Sequence, residues 1–385
     1  MRRARALALA AFLLPFAAEA QPQALADARL EPRAFEELQG WAEDDHEAAL
    51  ATFRKSCVAI LDGREAIRSA QPPSEDLRRV CELARSPEPS GSGRAFFEQH
   101  FRPFEVLPPA GRGFLTGYFE PEYDGSLEQT ETFPVPLLAR PDDLVSVPPG
   151  ESWPGIDGLA AGRRTAAGFE PYPDRAAIED GALGALAQPI LFLRDPVDAL
   201  IVHVQGSARI RLPDGRVVRV AYAGKNGHPF TAVGRLMVER GYVPLAEMNL
   251  ERMTGWLKSH PAEARELIRL NRSYIFFRLA DGLDPADGPL GGAGVPLTAG
   301  RSLAVDRTLW SYGLPFWLEA EWPNPNGEPG RLARLTVAQD TGSAILGPAR
   351  GDFFVGSGLE AGTRAGLIRQ KARFVVLLPV AQPAP

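Results

Sequence analysis

The residue types that build metal and redox centres are scarce in this sequence. Only Cys57 and Cys81 carry thiols. The five histidines, His46, His100, His203, His228 and His260, are scattered without the spacing of a ligand set, so no metal site is expected. There is no phosphate-cradling loop and no Ser-His-Asp arrangement in a recognisable context. Basic charge is also in deficit. Lys and Arg number 42 against 48 Asp and Glu, and the formal charge of −6 argues against a nucleic-acid partner. Beyond the N-terminal segment no apolar run approaches the ~18 residues needed to cross a bilayer, so no transmembrane segment is expected.

What is abundant points elsewhere. With 38 Gly and 36 Pro in 385 residues, many turns and short strands are favoured over long helices, as in an all-β or α+β protein. The length allows two or three domains at ~150 residues each. Arg2, Arg3 and Arg5 precede an apolar run over 6–18 that ends in Ala18-Glu19-Ala20. Residues 1–20 therefore read as a signal peptide cleaved before Gln21, which implies export, with a periplasmic address. No cysteine stands at that point, so a lipid anchor is not expected. Loss of this segment leaves a formal charge of about −8. In an oxidising compartment Cys57 and Cys81 form a local disulfide, the alternative being two buried thiols.

Helical spacing runs from 30 to about 61, with Phe35, Leu38, Trp41, Leu50, Phe53 and Val58 among the periodic positions. Ser74 caps a second helix toward Leu83, and Phe96, Phe97 and Phe101 follow on a third. Strands over 113–121 and 134–138 precede a Pro-, Gly- and Asp-rich stretch with a short helix around 174–179. Ile201 to Gln205 is β-branched and apolar, and 207–212 and 217–222 flank Pro213-Asp214-Gly215 as a hairpin. Helical segments over 230–241, 250–257 and 262–270 lead to an aromatic strand, Ser273 to Arg278, and a linker-like stretch over 285–294. Short strands near 302–305, 316–321, 334–338, 353–355 and 373–378 suggest a small closed barrel; the clearest turn among them runs from Trp322 to Gly327.

Within that last region Asp306, Asp340 and Asp352 each stand at the edge of a short apolar run, beside glycines or a turn. A carboxylate at the end of a buried strand emerges from the core at a fixed position, although Asp followed by Thr or Gly is also a common turn former. Acids and aromatic residues around a groove suit carbohydrate chemistry. Tyr118, Phe119, Tyr123, Trp310, Tyr312 and Trp317 are either flat surfaces for sugars or packing residues.

Four further motifs precede the aspartates: Gly117-Tyr118-Phe119-Glu120-Pro121, Val204-Gln205-Gly206-Ser207, Tyr222-Ala223-Gly224-Lys225-Asn226-Gly227-His228 and Ser273-Tyr274-Ile275-Phe276-Phe277. In this order, and with the three-aspartate region, they resemble the membrane-bound lytic murein transglycosylase A family over roughly 110–380. The resemblance implies a mainly β, α+β protein with N-terminal helices. A double-psi β-barrel domain would carry a second β-rich domain inserted into it, with a cleft between them. Its implied division is an N-terminal helical part over 21–112, an inserted substrate-binding domain over 113–272 and the barrel over 273–385. Peptidoglycan glycan strands would lie in the cleft, no cofactor would be needed, and protein partners in wall synthesis or division are unspecified.

The implied reaction cleaves the β-1,4 bond between N-acetylmuramic acid and N-acetylglucosamine and closes a 1,6-anhydro ring on the muramic acid. Ordinary glycosidases need two carboxylates. Attack by the sugar's own C6 hydroxyl leaves work for one. On the family pattern Asp352 is that acid and later base, and a partly apolar setting beside Phe353 and Phe354 would raise its pKa. Asp340 is a neighbouring carboxylate that positions it or stabilises positive charge, the alternative being a loop-closing hydrogen-bond acceptor. Asp306 is structural support. Thr116, Tyr118, Gln205, Gly206, Ser207, Lys225 and Asn226 are carried over as glycan-contacting positions, with Gly342 and Ser343 as groove lining or a tight turn. Arg350-Gly351-Asp352 stands where His-Phe-Asp is more usual. The competing reading is a non-catalytic peptidoglycan-binding protein on the same scaffold.

Overall fold

In the computed structural model of the chain, residues 28–86, 92–109, 111–148, 151–323 and 329–381 are described. The segment read as a signal peptide lies outside them, as does most of the turn read from Trp322 to Gly327. Six strands close into a barrel: Gly113–Glu120, Ser302–Val305, Pro315–Pro323, Pro329–Asp340, Arg350–Ser357 and Arg369–Pro379. The last pairs with both Pro315–Pro323 and Gly113–Glu120, so every barrel strand has two neighbours and no edge is left open. Two of the pairings are parallel, Ser302–Val305 with Pro329–Asp340 and Arg350–Ser357 with Gly113–Glu120.

Helices His46–Leu61, Glu75–Arg85 and Gly93–His100 pack on this barrel, each started by a side-chain cap, from Asp45, Ser74 and Ser92. Their apolar faces bury Phe53, Leu77 and Phe97 in one core with Trp317, Leu335 and Val375. Each such fully buried side chain contributes about 1.5–3 kcal/mol. Gln339, on a barrel strand, donates to the Thr52 carbonyl at 3.0 Å and to Ser56 Oγ at 2.9 Å, which fixes the first helix in register. Cys57 and Cys81 are joined as a disulfide between the first two helices.

The helix expected from about 30 begins only at His46. Arg29–Pro32 is instead a strand paired with Phe101–Leu107, followed by short 3-10 turns at Phe35–Glu37 and Trp41–Glu43. The residue before a proline is pushed out of the α region, and Gly40 adopts φ +84°, so periodic apolar spacing is carried by turns here. Ile201 to Gln205 is the second half of helix Pro196–Gln205, capped by Asp195 and ended by Gly206 at φ +79°. It is buried from Val197 to His203, so almost every position is apolar and the helical period is erased.

The inserted part is built on a six-stranded sheet in the order Ile275–Leu279, Val217–Lys225, Ser207–Arg211, Glu122–Ser126, Pro189–Leu193, Val135–Leu138. A three-stranded sheet, Leu144–Ser146, Ala161–Thr165 and Gly168–Pro171, lies beside it. Gly113–Glu120 belongs to the barrel, and Ile275–Leu279 belongs to the insert's sheet.

Candidate active site

Four neighbouring barrel strands carry a row of residues in register: Thr116 opposite Asp352, Asp352 opposite Ala304, and Ala304 opposite Asp340. Paired residues project to the same face of a sheet, and strands lie ~4.8 Å apart, so the two aspartates stand about two strand spacings from each other across the small Ala304 side chain. The insert covers the far side. Between barrel and insert runs a groove lined by Tyr118, Gln205, Gly206, Ser207, Asp340, Gly342, Ser343 and Asp352, all of them expected site residues.

Asp352 Oδ1 accepts a hydrogen bond from Thr116 Oγ1 at 2.6 Å, and Thr116 Oγ1 in turn accepts one from the Arg350 guanidinium at 2.8 Å. Among the described residues Oδ2 accepts no hydrogen bond and is left to the groove. Burial pushes the Asp352 carboxyl up from the usual carboxylate range to about 6; the Thr116 hydrogen bond and the Arg350 charge oppose the rise, and Asp340 adds to it. Near neutral pH an appreciable fraction is therefore protonated.

Asp340 is held differently. Oδ1 accepts from the backbone N–H groups of Gly292 and Thr341, both at 2.8 Å, and Oδ2 from the Tyr118 hydroxyl at 2.9 Å. Its carboxyl is also pushed up by burial, against the pull of those three donors. The loop-closing role and the position beside Asp352 thus coexist in one side chain. Asp306 lies apart. Its oxygens accept from Thr308 N and Oγ1 at 3.0 and 2.6 Å and from Gly347 N at 2.7 Å, tying together the turns that follow two barrel strands.

From the insert, Gln205 comes off the end of its helix and its Oε1 accepts from Phe119 N at 3.1 Å. Gly206 permits the left-handed turn that brings Gln205 and Ser207 to the groove together. Lys225 reaches across to donate to Ser343 Oγ at 3.1 Å, and burial with Arg68 and Arg307 nearby lowers its pKa to about 8.

Asn226, expected at the glycan, is not among the residues that line the groove. Its side chain is fully buried, with Nδ2 donating to the carbonyls of Pro173 and Arg272 at 2.9 Å each and Oδ1 accepting from Tyr274 N at 2.9 Å. Gly227 follows at φ +84°, where a Cβ would meet the Ala161 carbonyl oxygen at 2.3 Å. Of the Tyr222 to His228 motif, then, Asn226, Gly227 and His228 build the turn, and Tyr222 and Lys225 face the groove region. The aromatic surfaces also resolve. Trp310, Tyr312 and Trp317 are core residues, and Tyr118 and Tyr222 are the tyrosines that line the groove.

Arg68, Arg350 and Gly292 were not legible as site residues. Arg68 donates to the Thr341 carbonyl at 3.0 Å from a segment between helices, and its guanidinium lies 5.3 Å from the centre of the Tyr222 ring. The only sequence signal for Arg350 is its place two residues before Asp352, on the same face of the strand. Among the described residues no cluster of His, Cys, Asp and Glu is arranged to hold a metal ion.

Comparison with known proteins gives one consistent result. The chain matches the model of the MltA specific insert domain over residues 114–278 and that of the 3D domain over 301–378. It is 38% identical to a membrane-bound lytic murein transglycosylase from Agrobacterium tumefaciens of known crystal structure, with 91% of this chain and 97% of that one covered and a TM-score of 0.80. The monoclinic crystal form of MltA from Neisseria gonorrhoeae is 31% identical, with 93% and 94% covered and a TM-score of 0.75. The curated membrane-bound lytic murein transglycosylase A of Escherichia coli K12 is 36% identical over 210 residues, 53% of this chain. The chain spans 56% of the length of that relative.

Proposed function

The chain belongs to the membrane-bound lytic murein transglycosylase A family, and from that membership we propose that it cleaves the β-1,4 bond between N-acetylmuramic acid and N-acetylglucosamine in peptidoglycan, leaving a 1,6-anhydro-muramic acid end. The observation that carries this reading is Asp352. It is an acid with one oxygen open to an interdomain groove and a pKa raised to about 6 by burial. Asp352 protonates the glycosidic oxygen as the bond to C1 breaks. The C6 hydroxyl of the same muramic acid attacks C1, and its proton passes to the Asp352 carboxylate. The acid is thereby restored, and no water enters the product. Because the nucleophile is part of the substrate, the step gains the effective concentration of an intramolecular reaction, ~10⁵ M or more when well oriented.

Asp340 is the fixed negative neighbour in this scheme. Its oxygens are committed to three donors, so it is suited to stabilise positive charge at C1 rather than to activate water. Tyr118, Gln205, Gly206, Ser207, Gly342 and Ser343 provide the walls for the glycan, and Thr116 orients the acid. The protein acts in the periplasm, after removal of residues 1–20. No helix among the described residues is long and apolar enough to cross a membrane.

Purified protein incubated with glycan strands should release products with anhydro-muramic ends, identified by mass. Products heavier by one water would make it a hydrolase. Asp352→Asn should lower turnover by about 10²–10⁴-fold while retaining glycan binding; a variant as active as the parent removes Asp352 from the chemistry.

A further inference from the structure

Beside the groove stand three cations that no carboxylate among the described residues pairs directly. Arg68 comes from the segment between the first two helices, Arg307 from the turn after barrel strand Ser302–Val305, and Lys225 from the end of insert strand Val217–Lys225. Arg307 donates to the Ser69 carbonyl at 2.5 Å, which sets it beside Arg68, and Lys225 is held by Ser343. All three are half-buried. Among the described residues none of them has a carboxylate within 4.0 Å. The acid next to Arg307 in sequence, Asp306, has both oxygens engaged by Thr308 and Gly347.

Other arginines of the interior are paired with acids. Arg209 and Arg219 share Glu120, Arg301 has Asp44, and Arg373 has Glu105 and Glu319. Crowding like charges in a poorly solvated rim is unfavourable: burial, then Arg68 and Arg307, depress proton binding by Lys225, and burial, then Arg68, depress that of Arg307. An arrangement of this kind becomes favourable when an anion joins it. Arg68 and Ser343 line the groove itself, so the anion would arrive on the groove's own ligand.

Resting on the proposed function, we infer that Arg68, Arg307 and Lys225 form an acceptor site for a carboxylate carried on the side group of a muramyl sugar, and so select muramyl glycans over neutral ones. A muramyl residue differs from N-acetylglucosamine by its 3-O-lactyl group. In peptide-free strands that group ends in a free carboxylate. In peptide-bearing strands it is an amide, and the nearest carboxylates belong to the stem. Both sources offer the same chemistry to the three cations.

The test uses the full-length protein carrying Asp352→Asn, so that glycans are bound without being cut. Affinities are compared for peptide-free strands, peptide-bearing strands and N-acetylglucosamine oligomers of equal length, at low and high salt. The site predicts that carboxylate-bearing strands bind about tenfold or more tightly than the neutral oligomers, that salt removes the difference, and that adding Arg307→Gln removes it at low salt. Adding Lys225→Gln in place of Arg307→Gln gives a second, independent loss. A loss confined to peptide-free strands assigns the lactyl carboxylate, and one confined to peptide-bearing strands assigns the stem. Equal affinity for charged and neutral glycans, or a variant that weakens the neutral oligomers as much as the charged strands, overturns the site. If the parent protein still yields anhydro products in that case, the site alone falls and the proposed reaction stands.

Discussion

One pair of parallel barrel strands carries two acids with opposite fates. At one end of the pairing between Gly113–Glu120 and Arg350–Ser357, Asp352 lies opposite Thr116; at the other, Glu120 lies opposite Ser357. Glu120 is fully buried and meets Arg209 at 2.8 Å, Arg219 at 3.1 Å and Ser357 Oγ at 2.7 Å. Asp352 has a threonine hydroxyl and an arginine that reaches the threonine rather than the acid. The same residue class on the same scaffold is thus neutralised for architecture in one place and left short of partners in the other. A buried acid with too few partners costs stability and retains its proton, and a proton donor needs that property.

Three changes would break or sharpen this contrast. The largest effect belongs to Glu120→Ala. It leaves two poorly solvated arginines without their acid and should destabilise the protein by about 3–5 kcal/mol, read from urea unfolding. A loss below about 1 kcal/mol would mean that solvent replaces the acid freely. Next is Asp352→Asn, which should stabilise. An acid whose folded pKa lies above its unfolded one binds more protons in the folded state, so its ionisation opposes folding as pH rises through 4 to 6. At pH 8 the variant should gain up to about 3 kcal/mol, less where solvent reaches the carboxylate, and below pH 4 the gain should vanish. A gain that is the same at both pH values would show that it comes from packing. The smallest is Arg350→Gln. The Arg350 charge lowers the Asp352 pKa, so its removal should move the alkaline fall of kcat/KM to higher pH. An unmoved limb with reduced activity would leave Arg350 as a support for Thr116 only.

The places of the later barrel strands were legible because each has an apolar centre bounded by Gly, Pro or Asn, although Pro329–Asp340 and Arg369–Pro379 run well past the short segments expected over 334–338 and 373–378. Ser302–Val305 and the strand ending at Asp340 lie where the pattern puts them. The buried helix Pro196–Gln205 and the strand Arg29–Pro32 were not, since tertiary burial removes the period in the first and proline with turns imitates it in the second. In the site, Asp340 and Asp352 share a groove because the register of one parallel and one antiparallel pairing places Ala304 between them, and register is invisible in a single chain until the strands are paired. Asn226 shows the converse: a polar residue in a specific motif whose donors and acceptor all serve the turn that contains it. Arg68 and Arg307 are more than two hundred positions apart in sequence, so no spacing rule could have joined them.

The cluster around Glu120 also has a mechanical side. The chain passes between barrel and insert twice, once just after Glu120 and once through the stretch following Leu279. Arg209 and Arg219, which hold Glu120, also donate to the carbonyls of Asp284, Pro285, Asp287 and Gly288 on the second passage. Both legs are therefore riveted to one point. Lys225 and Ser343 meet across the mouth of the groove, away from that rivet. Removing Glu120 would therefore loosen both passages at once, while Asp352 and Asp340, both paired with Ser302–Val305 in the barrel, keep their register.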